Sequence, residues 1–228
     1  MTRLVRLSGG ERWQLADVEF ECSRGTDSTT GHFALCKPPE LVEKYVELCH
    51  RFEGANIVEL GIKAGGSTAL LGMLAQPRKL VSIELNEPRV AALDELLVSK
   101  QLGQSVHPYY GVDQSDRERL TAIVDDEFGD TPLDLVVDDA SHLHKETVAS
   151  FDVLYPRLRP GGLFIIEDWA AHQVPVFWIR ATLAQGDVVS DVRVDRYWIT
   201  ITRGPADLDR DTFHLADART GDWEWVLP

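Results

Sequence analysis

Between positions 56 and 168, short apolar runs alternate with longer amphipathic ones. NIVELG (56–61), KLVSIEL (79–85), SVHPYYG (105–111), LDLVVDD (133–139) and GGLFIIED (161–168) read as strands, the third despite Pro108. STALLGMLAQ (67–76), EPRVAALDELLVSKQ (87–101), DQSDRERLTAIVDD (113–126) and HLHKETVASFDVLYPRL (142–158) read as helices, with Ser67 as a candidate cap and Pro88 near a helix start. RPGG before the last strand is a turn signal. Such alternation forces parallel strands with helices on both faces, a doubly wound, Rossmann-like α/β fold. Two further β-like runs, 188–194 and 196–203, predict an antiparallel hairpin at one edge of that sheet.

The first fifty residues do not follow this pattern. They hold one helix-like stretch, PPELVEKYVELCHRF (38–52), after a polar segment, GTDSTTG (25–31), read either as a mobile flap or as a plain surface loop. At 228 residues a single domain is expected: an N-terminal extension over 1–52, a core over 53–205 and a tail over 206–228. Trp223 and Trp225 in that tail suit docking to a second subunit, and equally suit folding back, so a homodimer is one expectation.

Charge narrows the function. The chain carries 23 Lys and Arg against 37 Asp and Glu, a net charge of −14, which repels phosphate backbones and argues against nucleic acid as a partner. No apolar run approaches the roughly 20 residues a membrane span needs. The first residues lack the apolar core of a secretory signal, and Cys22, Cys36 and Cys49 form no CxxC, so reduced thiols in a cytoplasmic protein are expected.

The candidate chemistry lies at strand ends, where open α/β sheets bind ligands. VELGIKAGGST (58–68) joins the first core strand to its helix through Gly61, Gly65 and Gly66, spaced G-x-x-x-G-G rather than the G-x-G-x-x-G of a dinucleotide site. Glu59, two residues before the first glycine, would repel a pyrophosphate and suits a ligand bearing an ammonium and a sulfonium. Glu84 ends the second strand, where such acids accept ribose hydroxyls. Asp113 and Gln114 follow the third, within reach of an adenine edge. A tight turn with solvated acids around it is the plainer alternative.

VVDDASHLH (136–144) and IIEDW (165–169) end the fourth and fifth strands. Neighbouring strands lie about 4.8 Å apart, so Asp139, Glu167 and Asp168 can reach one cation. Oxygen ligands without Cys or paired His favour Mg²⁺, or Mn²⁺ and Ca²⁺, over Zn²⁺. His142, three residues after Asp139, is a candidate general base. Histidine, with a usual pKa of about 6.5, faces a gap of roughly 9 units, or about 12 kcal/mol, against an unassisted hydroxyl, so base and cation need each other. His144 is placed on another helical face. Trp169 suits either a sugar face or the core.

In order, these features resemble motifs one to three of the class I S-adenosylmethionine-dependent methyltransferases, over about 56–168. DDASH followed by IIEDW is similar to the metal-dependent branch that methylates sugar hydroxyls, as on macrolide sugars, and GTDSTTGH (25–32) resembles a GTD segment found before the core there. The resemblance implies S-adenosylmethionine as cofactor, held by Glu59, Gly61, Gly65, Ser67, Glu84, Gly111, Asp113, Gln114 and Asp138. It also implies Mg²⁺ (or Mn²⁺) on Asp139, Glu167 and Asp168, His142 as base, and a small saccharide as substrate. The chain's length is similar to that of enzymes acting on mannosides in polysaccharide synthesis, which makes a mannoside the expected acceptor. A macrolide sugar, a catechol, a nicotinamide-linked reduction and a non-catalytic binding role are the alternatives.

Overall fold

The computed structural model describes residues 4–23, 25, 27–169 and 187–215. The chain opens with a four-stranded sheet, β1 (Val5–Arg6), β2 (Arg12–Leu15), β3 (Val18–Cys22) and β4 (His32–Leu35), in the order β1-β2-β3-β4. Helix α1 (Pro39–Arg51) follows, entered through Pro38, where a missing N–H leaves no helical bond unmade.

From there the strand–helix alternation holds. β5 (Asn56–Leu60), α2 (Gly66–Leu74), β6 (Lys79–Glu84), α3 (Ala91–Ser99), β7 (Val106–Tyr110), α4 (Arg117–Phe128), β8 (Leu133–Asp138), α5 (His144–Leu154) and β9 (Leu158–Glu167) succeed one another, and β10 (Val189–Val194) and β11 (Trp198–Arg203) close the fold. The seven strands lie in the order β10-β11-β9-β8-β5-β6-β7. β5 pairs in parallel with both β6 and β8, so strand order reverses at β5 and opens a crevice at the carboxyl ends. β11 is antiparallel to both β9 and β10, which makes the expected hairpin the sheet's outer edge.

Successive strand residues face opposite sides of a sheet, and the core divides accordingly. Ile57, Leu135 and Ile165 pack with α1, α2 and α3, while Val58, Val136 and Phe164 pack with α4 and α5. Both faces are covered, which is why these strands are apolar throughout rather than alternating.

Several boundaries differ from the pattern along the chain; among them, α5 stops at Leu154, not 158, and α2 is capped by Gly65, not Ser67. α3 begins at Ala91, past Pro88. α4 begins after Asp116, whose carboxylate accepts the Arg119 N–H at 3.0 Å and sets the start. β9 begins at Leu158, so the RPGG expected as a turn lies within the strand, with Gly161 at φ +78°. Pro108 sits in β7 because β7 is one of the sheet's two edge strands, where a missing N–H on the open side costs nothing.

The N-terminal region differs most. Its strands are not an appendage: Trp13, Leu15, Phe20, Phe33 and Leu35 are buried in the same core as α1 and α2. The polar segment 25–31 is docked where it is described. Ser28 Oγ donates to the Ala64 carbonyl at 2.6 Å and accepts the Ala34 N–H at 3.1 Å, and Thr30 donates to Glu95. Trp223 and Trp225, on which the homodimer expectation rested, lie outside the described residues.

Candidate active site

A cavity of about 390 Å³ opens at the carboxyl ends of β5, β6 and β8. Its floor is the turn from β5 to α2. At Gly61, with φ +99°, an added Cβ would stand 2.3 Å from the Asp139 carbonyl oxygen, so the two strand ends meet only because this residue has no side chain. At Gly66 an added Cβ would stand 2.2 Å from the Ala34 oxygen, and here β4 closes against the start of α2. The N-terminal sheet therefore supplies a wall of the cavity, through Ala34, Leu35, Cys36 and Lys37.

Glu84 shapes the floor. One carboxylate oxygen accepts the Ile62 and Lys63 N–H groups at 3.0 and 2.7 Å, and the other accepts the Asn86 backbone and side-chain N–H groups at 2.9 and 2.8 Å. Lys63 is held at φ +50°, a conformation that the pull of Glu84 on its N–H helps to stabilise.

Of the nine residues expected at the cofactor, Gly61, Ser67, Glu84, Asp113 and Gln114 line the cavity. Glu59, Gly65, Gly111 and Asp138 do not. Glu59 is fully buried behind the turn, where Thr68 and Ser82 hydroxyls donate to it at 2.6 and 2.8 Å. Burial raises its pKa, against those hydrogen bonds. It props the turn from behind rather than facing a ligand. Gly65 caps α2 at φ +81°, and Gly111 makes the turn after β7 at φ +69°. The Gln114 side chain is engaged within the protein: its amide donates to Asp138 at 3.0 Å and its oxygen accepts the Ser141 N–H at 2.9 Å. Asp138, buried, has its pKa pushed up to about 6 by that burial.

The acid groups of β8 and β9 divide in two. Asp139, His142 and Asp168 each present a possible ligand atom, and these atoms lie within 4.8 Å of one another. All three line the cavity. His142 and Asp168 both have positive φ, +58° and +52°, so each strand end kinks to bring its side chain to the opening. His142 Nε2 lies 3.9 Å from Asp139 Oδ1.

Glu167 faces inward instead. It is 2% exposed; Tyr45 and Trp198 donate to its Oε2 at 2.9 and 3.1 Å, and the Lys37 ammonium bonds its Oε1. Lys37 also bonds Asp139 Oδ2 at 2.7 Å and lies 4.7 Å from the Tyr45 ring centre. The expected trio of oxygen ligands is thus not the group the fold gathers. A lysine stands between two of its members, and His142 takes Glu167's place at the opening. Burial alone would lower the Lys37 pKa, but the charges of Asp139 and Glu167 outweigh it and hold the ammonium well above its usual range. Lys37, Tyr45 and Trp198 escaped the reading along the chain. The only local sign was a lysine between an apolar strand and Pro-Pro.

Trp169 donates to the Asp195 carbonyl at 2.9 Å and packs at the rim of the core beneath α4 and α5. His144 opens α5, and burial lowers its pKa.

Comparison with known proteins finds likenesses in sequence and in fold. Residues 58–169 match the family described as a methyltransferase domain. Over 65 residues, 28% of this chain, the sequence is 42% identical to the 8-demethyl-8-α-L-rhamnosyl tetracenomycin-C 2'-O-methyltransferase of Streptomyces olivaceus. Over 61 residues, 26% of this chain, it is 46% identical to the mycinamicin VI 2''-O-methyltransferase of Micromonospora griseorubida. Those stretches cover only 16% and 14% of the two relatives, so the chain spans a minor part of their length. In structure the chain resembles the MycE methyltransferase of the mycinamycin pathway, solved with Mg, SAH and mycinamycin VI. The TM-score is 0.53 at 20% identity, covering 73% of this chain and 48% of that one. The fold is that of the class I methyltransferases, and the stretch from Val58 to Trp169 is similar to the methyltransferase-domain family.

Proposed function

We propose that this chain moves a methyl group from S-adenosylmethionine to a sugar hydroxyl. The observation that carries the reading is the convergence of Asp139, His142 and Asp168 within 4.8 Å at the mouth of the cavity that the glycine turn floors. Gly61, Ser67 and Glu84, which line the turn side of that cavity, are the residues that would hold the cofactor.

Asp139 and Asp168 are the residues that would hold a divalent cation. Mg²⁺ commonly takes only one or two carboxylates and keeps other positions for water or substrate oxygens, so this pair fits it, and Mn²⁺ as well. Such an ion, when bound, orients two acceptor oxygens and stabilises negative charge on the one that reacts. His142 accepts the hydroxyl proton on a ring nitrogen. The freed oxygen pair forms the new O–C bond as the C–S bond breaks, and S-adenosylhomocysteine leaves with the sulfur's electron pair.

The acceptor class is a sugar with neighbouring hydroxyls. The name of the rhamnosyl tetracenomycin-C methyltransferase favours a rhamnoside, and a mannoside remains the alternative. Mass spectrometry after incubation with S-adenosylmethionine and Mg²⁺ tests the reading against a rhamnoside, a mannoside and a catechol. A methylated sugar, lost in EDTA and restored by Mg²⁺, is the expected result. Methylation of the catechol alone would replace the sugar reading, and full activity in EDTA would remove the cation.

A further inference from the structure

Besides His142, six ionisable side chains line the cavity: Lys37, Lys63, Glu84, Asp113, Asp139 and Asp168. Lys37 is buried and committed to Asp139 and Glu167. Lys63 is exposed in the turn from β5 to α2, and among the described residues no carboxylate forms an ion pair with its ammonium. Its backbone stands at φ +50°, where glycine would sit without strain, and its N–H is held by Glu84 at 2.7 Å. α2 begins three residues later at Gly66, and Gly66 and Ser67 line the cavity, so the positive end of that helix borders the same space.

We propose that Lys63 receives the carboxylate of the methyl donor, and so selects a donor that keeps its amino-acid end. This rests on the methyltransferase reading and deepens it by giving the cofactor's one anionic group a partner. S-adenosylmethionine carries a sulfonium, an ammonium and a carboxylate. The acids around the cavity suit the first two groups and repel the third. Lys37 cannot answer that repulsion, because turning to a ligand would leave Asp139 and Glu167 without their cation in a buried place. Lys63 can, with the end of α2 beside it. The backbone outlier has the same explanation: a side chain stands where glycine would be easier because its ammonium is what the ligand meets. One turn residue then serves both ends of the donor. Its N–H fixes Glu84, the acid assigned to the ribose, and its side chain takes the carboxylate.

The test compares two ligands by calorimetry: S-adenosylhomocysteine and its decarboxylated form, which ends in a propylamine. Wild-type protein is expected to prefer the first by about 10-fold or more, the worth of one charge-assisted hydrogen bond. Lys63→Gln should lose that preference, weakening S-adenosylhomocysteine by about 10-fold and the decarboxylated form by less than about twofold. Lys63→Arg should keep it. Lys63→Gly, which relieves the backbone, should lose it while the protein stays folded, as its melting curve shows. A lysine that only shapes the turn would not separate the two ligands. Equal losses for both in Lys63→Gln, or a preference that survives the substitution, overturn the assignment of Lys63 and leave the methyl-transfer reading standing. Wild-type protein that binds both ligands equally overturns it as well. Wild-type protein that binds neither ligand sinks the methyl-donor reading, and this inference with it.

Discussion

The two halves of the cavity are built by different means. On the turn side, the pieces that shape it are close in sequence: Gly61 to Ser67 run directly from β5 into α2, and Glu84 reaches back only 21 or 22 positions to fix the Ile62 and Lys63 N–H groups. On the acid side, the pieces come from three distant parts of the chain, with Lys37 and Glu167 separated by 130 positions. The first half is held by backbone hydrogen bonds to one carboxylate, the second by buried charges that must neutralise one another. Backbone geometry tolerates many side chains around it. A buried ion pair does not, since removing one partner leaves the other charged in a dry pocket. The acid side should therefore fail sharply and the turn side by degrees.

The largest effect is expected on turnover. His142→Ala should lower the methyl-transfer rate by about 10²- to 10⁴-fold while leaving S-adenosylhomocysteine affinity, measured by calorimetry, within threefold. A rate within tenfold of wild type would take His142 out of the chemistry. Next comes stability on the acid side. Lys37→Met leaves Glu167 buried with only the Tyr45 and Trp198 donors and should cost 3 kcal/mol or more, on the order of a broken buried pair, in chemical denaturation. The pair Lys37→Met with Glu167→Gln should recover part of that loss, whereas no recovery would mean that the two charges are not coupled.

On the turn side, Glu84→Ala removes the acceptor of four N–H groups and should weaken S-adenosylhomocysteine by about 10-fold, with a smaller loss of stability than Lys37→Met. If the two losses of stability were equal, the contrast between the halves would fall. The smallest change expected is one of slope. The folded-state pKa of Glu59 is raised by burial, above its value in the unfolded chain. The folded protein then binds that proton more tightly. The stability this contributes is present below the unfolded carboxylate pKa and is lost as pH rises through the folded one. Glu59→Gln should flatten that part of the curve of unfolding free energy against pH, and an unchanged slope would place the dependence elsewhere.

Much of the frame was written into the order of residues. Apolar runs such as NIVEL and LDLVVD, spaced by amphipathic stretches, allow only parallel strands covered on both faces, and the hairpin after them has only an edge to occupy. The same logic put Gly61, Glu84, Asp139 and Asp168 at strand ends, because periodicity locates where each strand stops. The first fifty residues escaped it, since β1 to β4 are short and partly polar, and become a sheet only by sharing a core with α1 and α2.

Within the site, the chain order determined which residues reach the mouth of the sheet but not which way each one faces. Glu167 and Asp168 are neighbours, yet successive residues of a strand point to opposite sides, and the kink at Asp168 turns one acid out while the strand keeps the other in. Glu59 went inward for the same reason. What settled the pairing of Glu167 was a lysine brought from the far end of β4, and no local pattern encodes such a partner. Charge neutralisation inside a closed core acts through space, so it became visible only once the fold had brought those side chains together.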